Sequence, residues 1–209
     1  MFKTRMYAIT ISVLTLITLT CYAAERTDPV IGEPAPPFTL TDVVTGQEVS
    51  LADFKGKVVV IAFQSINCPW DRMRPEGGYQ RYLAPLSQQY AEQGVQFLAI
   101  NSNKNESVEE IASYHQEHAI PYPILKDPNN IVADAYNAKT TPHIYVIDKD
   151  EAQTLRYMGG VEQIPTSPEK CGQMEENYLV PVLNAVLAGE EPPYTKTTSK
   201  GCSIKRVQH

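Results

Sequence analysis

The residue with the most chemistry to offer is Cys68, in the run Asn67-Cys68-Pro69-Trp70-Asp71. It follows a buried-strand pattern, Lys57 to Phe63 (KVVVIAF), and precedes a stretch from Arg72 to Gln93 that reads mainly as helix. Pro69 suits a first helical position, where a missing N–H costs nothing. A thiol at such a junction faces unpaired backbone N–H groups and the positive end of the helix dipole, and both favour thiolate. The spacing therefore predicts an exposed, easily ionised nucleophile. The alternative is a buried structural cysteine, but Asn67, Pro69, Trp70 and Asp71 do not read as core filling. Asp71 sets a negative charge nearby and opposes some of the thiolate stabilisation.

A second thiol has to come from elsewhere in the chain. Cys21 lies in the leader, which leaves Cys68, Cys171 and Cys202, an odd count that allows one bridge and one free thiol. Cys202 sits on a polar tail. The fifteen residues from Leu187 to Cys202 span at most about 50 Å extended, so reach does not limit it. Two pairings stay open: Cys68–Cys202, in which Cys202 resolves the nucleophile, and Cys171–Cys202, a structural clasp. Cys171-Gly172 lies in a loop after Pro165 and Pro168, where such a clasp fits.

The histidines add little. His115 and His118 lack H-E-x-x-H spacing and read as a solvated helix face. His143 follows Thr141-Pro142 and is expected near Cys68, but one thiol and one imidazole fall short of the usual three ligands, so no metal and no cofactor is expected. Tyr79, Tyr82 and Tyr90 read as packing on one helix. Asn105-Glu106-Ser107 fits a glycosylation sequon and is otherwise uninformative.

The elements that must hold Cys68 alternate between strand and helix. Asp42 to Val49 predicts a hairpin turning at Gly46, and Val95 to Asn101 a second buried strand. Ser107 to His118 predicts a helix with a Ser107/Glu110 capping box, Tyr122 to Leu125 a short strand, and Asn129 to Tyr136 a short helix. Gly77-Gly78 and Pro85 predict an irregular start or a kink in the helix after Cys68. His143 to Ile147 and Leu155 to Met158 are consecutive strands, and Met174 to Leu187 is a closing helix. This order describes an α/β domain with a mixed sheet covered on both faces.

The chain has 209 residues, 43% of them hydrophobic and 20% charged, so it can bury a core and is not wholly disordered. A net charge of −6 argues against a nucleic-acid partner. Four cysteines are too few for a disulfide scaffold. The cationic start (Lys3, Arg5), the uncharged run from Met6 to Ala24 and the small residues at its end predict a secretory signal peptide cleaved after Ala23. Lipidation at Cys21 and a retained membrane anchor are the other readings, and only these involve a membrane. All three put the body outside the cytoplasm, periplasmic or secreted, where disulfides persist. The resulting division is 1–23 leader, 24–37 linker, 38–189 domain and 190–209 tail.

Gly32-Glu33-Pro34-Ala35-Pro36-Pro37-Phe38-Thr39-Leu40-Thr41-Asp42 and Ser50 to Val60 resemble the opening of alkyl hydroperoxide reductase and thiol-specific antioxidant domains, the peroxiredoxin-like branch of the thioredoxin-like superfamily. The resemblance covers roughly residues 30–189. It implies a thioredoxin-like fold with an N-terminal hairpin and an extended C-terminal tail. Cys68-Pro69-Trp70-Asp71 takes the place of C-x-x-C, and Thr141-Pro142 that of the cis-proline beside the active cysteine. Gly201-Cys202-Ser203-Ile204-Lys205 resembles the C-terminal signature of a small subgroup of secreted relatives. Asp71 holds the second C-x-x-C position, so no disulfide closes within the motif. In the peroxidase pattern P-x-x-x-T-x-x-C, Ser65 suits the −3 position, but Ile61 stands where proline belongs. The implied function is an extracytoplasmic thiol–disulfide oxidoreductase or peroxiredoxin-like antioxidant protein. Its partners would be a disulfide protein or a peroxide, plus a reductant. The rival is a non-enzymatic binding or copper-handling protein anchored on Cys68.

Overall fold

The computed structural model describes residues 28–208. The predicted leader lies outside them. Among the described residues no helix is long and apolar enough to cross a membrane.

The strands form where β-branched and apolar residues run together. Val58–Phe63 (β3) is buried at every position, and Val95–Asn101 (β4) lies parallel beside it. The hairpin is made by Thr39–Asp42 (β1) and Glu48–Ser50 (β2), with Gly46 at φ 70° in the turn. Ile124–Lys126 (β5), His143–Ile147 (β7) and Leu155–Gly159 (β8) complete a seven-stranded mixed sheet in the order β2-β1-β5-β4-β3-β7-β8. Thr140–Thr141 (β6) and Cys202–Ser203 (β9) form a separate two-stranded ribbon, unforeseen from the sequence.

Alternation along β3 divides the core. Val58, Val60 and Ala62 pack with Leu83 and Leu86 of Tyr79–Ala91 (α1), Ile111 of Val108–Glu117 (α2) and Leu183 of Leu179–Ala188 (α4). Val59, Ile61 and Phe63 pack on the other face with Phe38, Tyr136, and Val132 of Ile131–Ala135 (α3). Each large aliphatic so buried contributes about 1.5–3 kcal/mol. The Ser107/Glu110 capping box forms as expected, with Glu110 N–H donating to Ser107 Oγ at 3.2 Å and Ser107 N–H to Glu110 Oε2 at 2.8 Å.

Three expectations need correction. The helix expected from Arg72 begins only at Tyr79, because Arg74 and Gly77 pair across a tight loop and Gly78, at φ 89°, donates its N–H to the Pro168 carbonyl. The closing helix expected from Met174 begins at Leu179: the Glu162 carboxylate accepts the Gly172 and Met174 N–H groups and holds that stretch out of helical geometry. Part of the 24–37 linker is docked, with Gly32 N–H donating to Leu155 O at 2.9 Å and Ala35 N–H to Gln153 O at 3.0 Å. The tail returns over the domain, as a Cys68–Cys202 approach requires: Thr197 N–H donates to Met158 O at 3.1 Å and Ile204 is buried.

Candidate functional site

Past the end of β3 the chain turns through Gln64, Ser65, Ile66 and Asn67 to Cys68. This loop has no regular structure of its own, so its polar groups must be satisfied from outside. The buried Glu106 does most of this. Its Oε1 accepts Ser65 Oγ at 2.5 Å and Asn67 N–H at 3.2 Å, and its Oε2 accepts Ile66 N–H at 3.2 Å and Asn101 Nδ2 at 2.5 Å. Ser65 Oγ in turn accepts Cys68 N–H at 3.1 Å. The fully buried Asp71 carboxylate accepts Ser65 N–H at 2.5 Å and Gln64 Nε2 at 3.3 Å.

Cys68 carries a single helical turn: its carbonyl accepts the N–H of Asp71 at 3.0 Å and of Arg72 at 2.9 Å. The helix proper starts eleven residues later, so Cys68 is not at a helix N-terminus. Its sulfur meets different partners. The thiol donates to the Thr141 carbonyl at 3.1 Å and accepts the Cys202 N–H at 3.3 Å. The Thr141–Pro142 bond is cis, and Thr141 pairs with Cys202 across the β6–β9 ribbon. Cys68, Ser65, Asp71, Thr141 and Cys202 thus converge.

Cys171 stands apart from that sulfur pair. Its thiol donates to the Trp70 carbonyl at 3.6 Å, and burial followed by Glu162 pushes it up to about 12. The three cysteines among the described residues are free thiols. Pro69 is exposed, and Trp70 packs partly against the core with the Lys200 ammonium 5.1 Å over its ring. His143 turns Nδ1 to the Tyr145 hydroxyl at 3.2 Å, and burial, with Lys139 and Lys196, lowers it to about 4. Among the described residues no three His, Cys, Asp or Glu side chains cluster to hold a metal ion. His115 is not simply solvated, since its Nε2 meets the Tyr122 carbonyl at 3.0 Å.

The exposed, readily ionised thiol is the expectation that fails. Cys68 is 1% exposed, and its thiol is pushed up to about 12, first by burial and then by Asp71. Burial also holds the Asp71 carboxyl well above the usual carboxylate range, with the Glu106 charge adding to the effect. Two anions would compete for one desolvated pocket. Asp71→Asn is therefore expected to move the inflection of Cys68 alkylation to lower pH. Wherever the pH lies below the inflection, lowering the inflection by about one pH unit raises the thiolate fraction about tenfold. Iodoacetamide rates across a pH series, read by peptide mapping, check this, and an unmoved inflection would refute it.

Glu106 gave little sign of its role in the sequence, where it sits inside a sequon. One signal was available: a carboxylate just before a helix N-cap serine, past the carboxyl end of a parallel strand, where open α/β sheets build their sites.

A mixed sheet with helices on both faces, a cysteine loop beyond its central strand and a cis-proline loop against the sulfur define a thioredoxin-fold protein. The chain belongs to the AhpC/TSA family, whose family model matches residues 31–158. A thiol-disulfide oxidoreductase ResA of Geobacillus kaustophilus is 35% identical over 164 residues, 76% of this chain and 84% of the relative. A second ResA, from Geobacillus thermodenitrificans, is 33% identical over 66% of this chain and 76% of its own. Among solved structures, an uncharacterized conserved protein from Geobacillus kaustophilus superposes with a TM-score of 0.73 at 33% identity, covering 86% of this chain and 94% of the other.

Proposed function

We propose that this protein is a thiol–disulfide oxidoreductase acting outside the cytoplasm, with Cys68 as nucleophile and Cys202 as resolving thiol. The observation that carries the reading is the Cys202 N–H set 3.3 Å from the Cys68 sulfur, on a strand paired with Thr141. The two relatives with thiol-disulfide oxidoreductase names support the reaction class, and the basic-then-apolar leader supports the compartment.

In the first step the Cys68 thiol gives up its proton and its sulfur attacks one sulfur of a substrate disulfide. A Cys68–substrate disulfide forms, the substrate S–S bond breaks, and the leaving sulfur takes a proton. In the second step the Cys202 thiolate attacks Cys68 Sγ, which expels the second substrate thiol and forms a Cys68–Cys202 disulfide. The substrate gains two electrons and the enzyme dithiol loses them. A dithiol reductant then returns the enzyme disulfide to two thiols. Thr141, Ser65, Pro69, Trp70 and Asp71 act as positioning residues around the exchanging sulfurs, with Thr141 accepting the resting S–H.

The test is to oxidise the reduced protein with a disulfide-bonded protein substrate and map its peptides. A Cys68–Cys202 bridge, with Cys171 left free to alkylate after denaturation, is the expected result. A Cys171–Cys202 bridge, or no bridge with the substrate still oxidised, overturns the assignment.

A further inference from the structure

Resting on the oxidoreductase reading, the geometry points to a latch: the arm downstream of Lys200 seals Cys68 in the reduced protein, and Cys68 meets a substrate's sulfur only when that arm lifts from the Thr140–Thr141 edge. Cys68 is almost completely inaccessible, although it ends a loop on the site side of the sheet. Part of what lies on its sulfur is the chain's own tail, through the Cys202 N–H.

The seating of the tail is specific. A Cβ at Gly201 would lie 1.9 Å from the Thr141 carbonyl oxygen, so backbone rests on backbone and only a hydrogen fits. Downstream, Ile204 is buried beside the Tyr136 face of the core, and its N–H donates to the Lys139 carbonyl at 3.0 Å. Lys205 N–H donates to Asn103 Oδ1 and Val207 N–H to Asn130 Oδ1, at 2.9 and 2.8 Å. Upstream, the tail is tied to β8 through Met158 and Thr197. The two halves differ in kind. The upstream half joins α4 to the ribbon, whereas the downstream half is a short arm with one buried aliphatic side chain, a two-residue strand, a partly exposed Arg206–Asp134 ion pair and a few single hydrogen bonds, among them Lys104 N–H to the Lys205 carbonyl at 2.9 Å. So small a unit opens locally at less cost than the whole domain.

The arm also carries Cys202. Lifting it bares Cys68 and the Thr140–Thr141 backbone edge, to which an extended segment of a substrate polypeptide can pair in place of β9. Closing it returns Cys202 to the mixed disulfide. Substrate capture and resolution therefore belong to opposite positions of one strand, and the protein cannot resolve before it has captured.

The test uses the full reduced chain, with timed iodoacetamide alkylation followed by peptide mapping. In the wild type Cys68 is expected to alkylate at least tenfold more slowly than Cys202. Gly201→Ala and Ile204→Ser, each outside the exchanging sulfurs, are expected to raise the Cys68 rate at least tenfold while Cys171 stays slow. Equal Cys68 and Cys202 rates in the wild type overturn the latch, as does an unchanged Cys68 rate in both variants. If Cys171 accelerates in step with Cys68 in both variants and in a deletion of residues 204–208, the fold and not the arm guards Cys68, and the proposal fails. The reading beneath it fails differently: a wild type with protected Cys68 that reduces no protein disulfide keeps the latch and loses the oxidoreductase. Brisk reduction with an unprotected Cys68 does the reverse.

Discussion

Cys68→Ser is expected to lower reduction of a protein disulfide by at least about a thousandfold, because an alcohol at that position supplies no anion able to attack sulfur. Cys202→Ser should behave differently. The first exchange still proceeds, but no thiol is left to expel the substrate, so a mixed disulfide on Cys68 accumulates. A mass increase equal to one substrate chain, mapped to the Cys68 peptide and removed by added dithiol, is the expected signature. Cys171→Ser should leave both exchanges intact, since its sulfur faces the Trp70 carbonyl and not the Cys68–Cys202 pair. A single-turnover assay with substrate in slight excess separates the three. Full turnover by Cys68→Ser would remove the nucleophile from the scheme, and release of both substrate thiols by Cys202→Ser would remove the resolver.

What the sequence disclosed follows from how local each feature is. The run from Lys57 to Phe63 and the run from Val95 to Asn101 announced strands because both of their faces are buried, and β4 has the predicted bounds. The Ser107/Glu110 box fixed the start of α2, since capping needs only four consecutive residues. The state of Cys68 was not legible. It depends on a tail strand 134 residues away, and two paired residues leave no periodicity to read. At Gly78 the glycine pair did signal an irregular start, but its bond to Pro168 O, which delays the helix to Tyr79, comes from a distance. Cys68, Thr141-Pro142 and Cys202 were each legible as residues with chemistry. Their convergence rests on the ribbon, which sets Cys202 opposite Thr141.

Glu106→Ala should be the most damaging substitution outside the sulfurs. Glu106 is 2% exposed, and its two oxygens accept from Ser65 Oγ, Ile66 N–H, Asn67 N–H and Asn101 Nδ2. Removing the acceptor strands the Ile66 N–H and the Asn101 amide, at about 1–3 kcal/mol for each one left unpaired, while Asn67 N–H keeps Ser65 Oγ at 3.2 Å. It also withdraws a negative charge from Lys126, whose ammonium donates to the Asn103 and Glu106 carbonyls at 2.7 and 2.8 Å and whose ionisation Glu106 favours. Water entering the vacated space offsets part of this, so the net loss is about 3–5 kcal/mol. For a chain of this size that lowers the melting temperature by about 10 °C or more. Glu106→Gln keeps one accepting oxygen but turns an NH2 toward donors, so it should fall between the wild type and alanine. It carries a second signature: with the Glu106 charge gone, one of the causes holding the Asp71 carboxyl high disappears, and Asp71 should ionise at lower pH. Urea unfolding at fixed pH gives the stability order, and a carboxylate titration followed by infrared absorption shows where Asp71 ionises. Wild-type stability in Glu106→Ala would mean that the loop holding Cys68 is shaped by Ser65 and Asp71 without the carboxylate that now bonds to it.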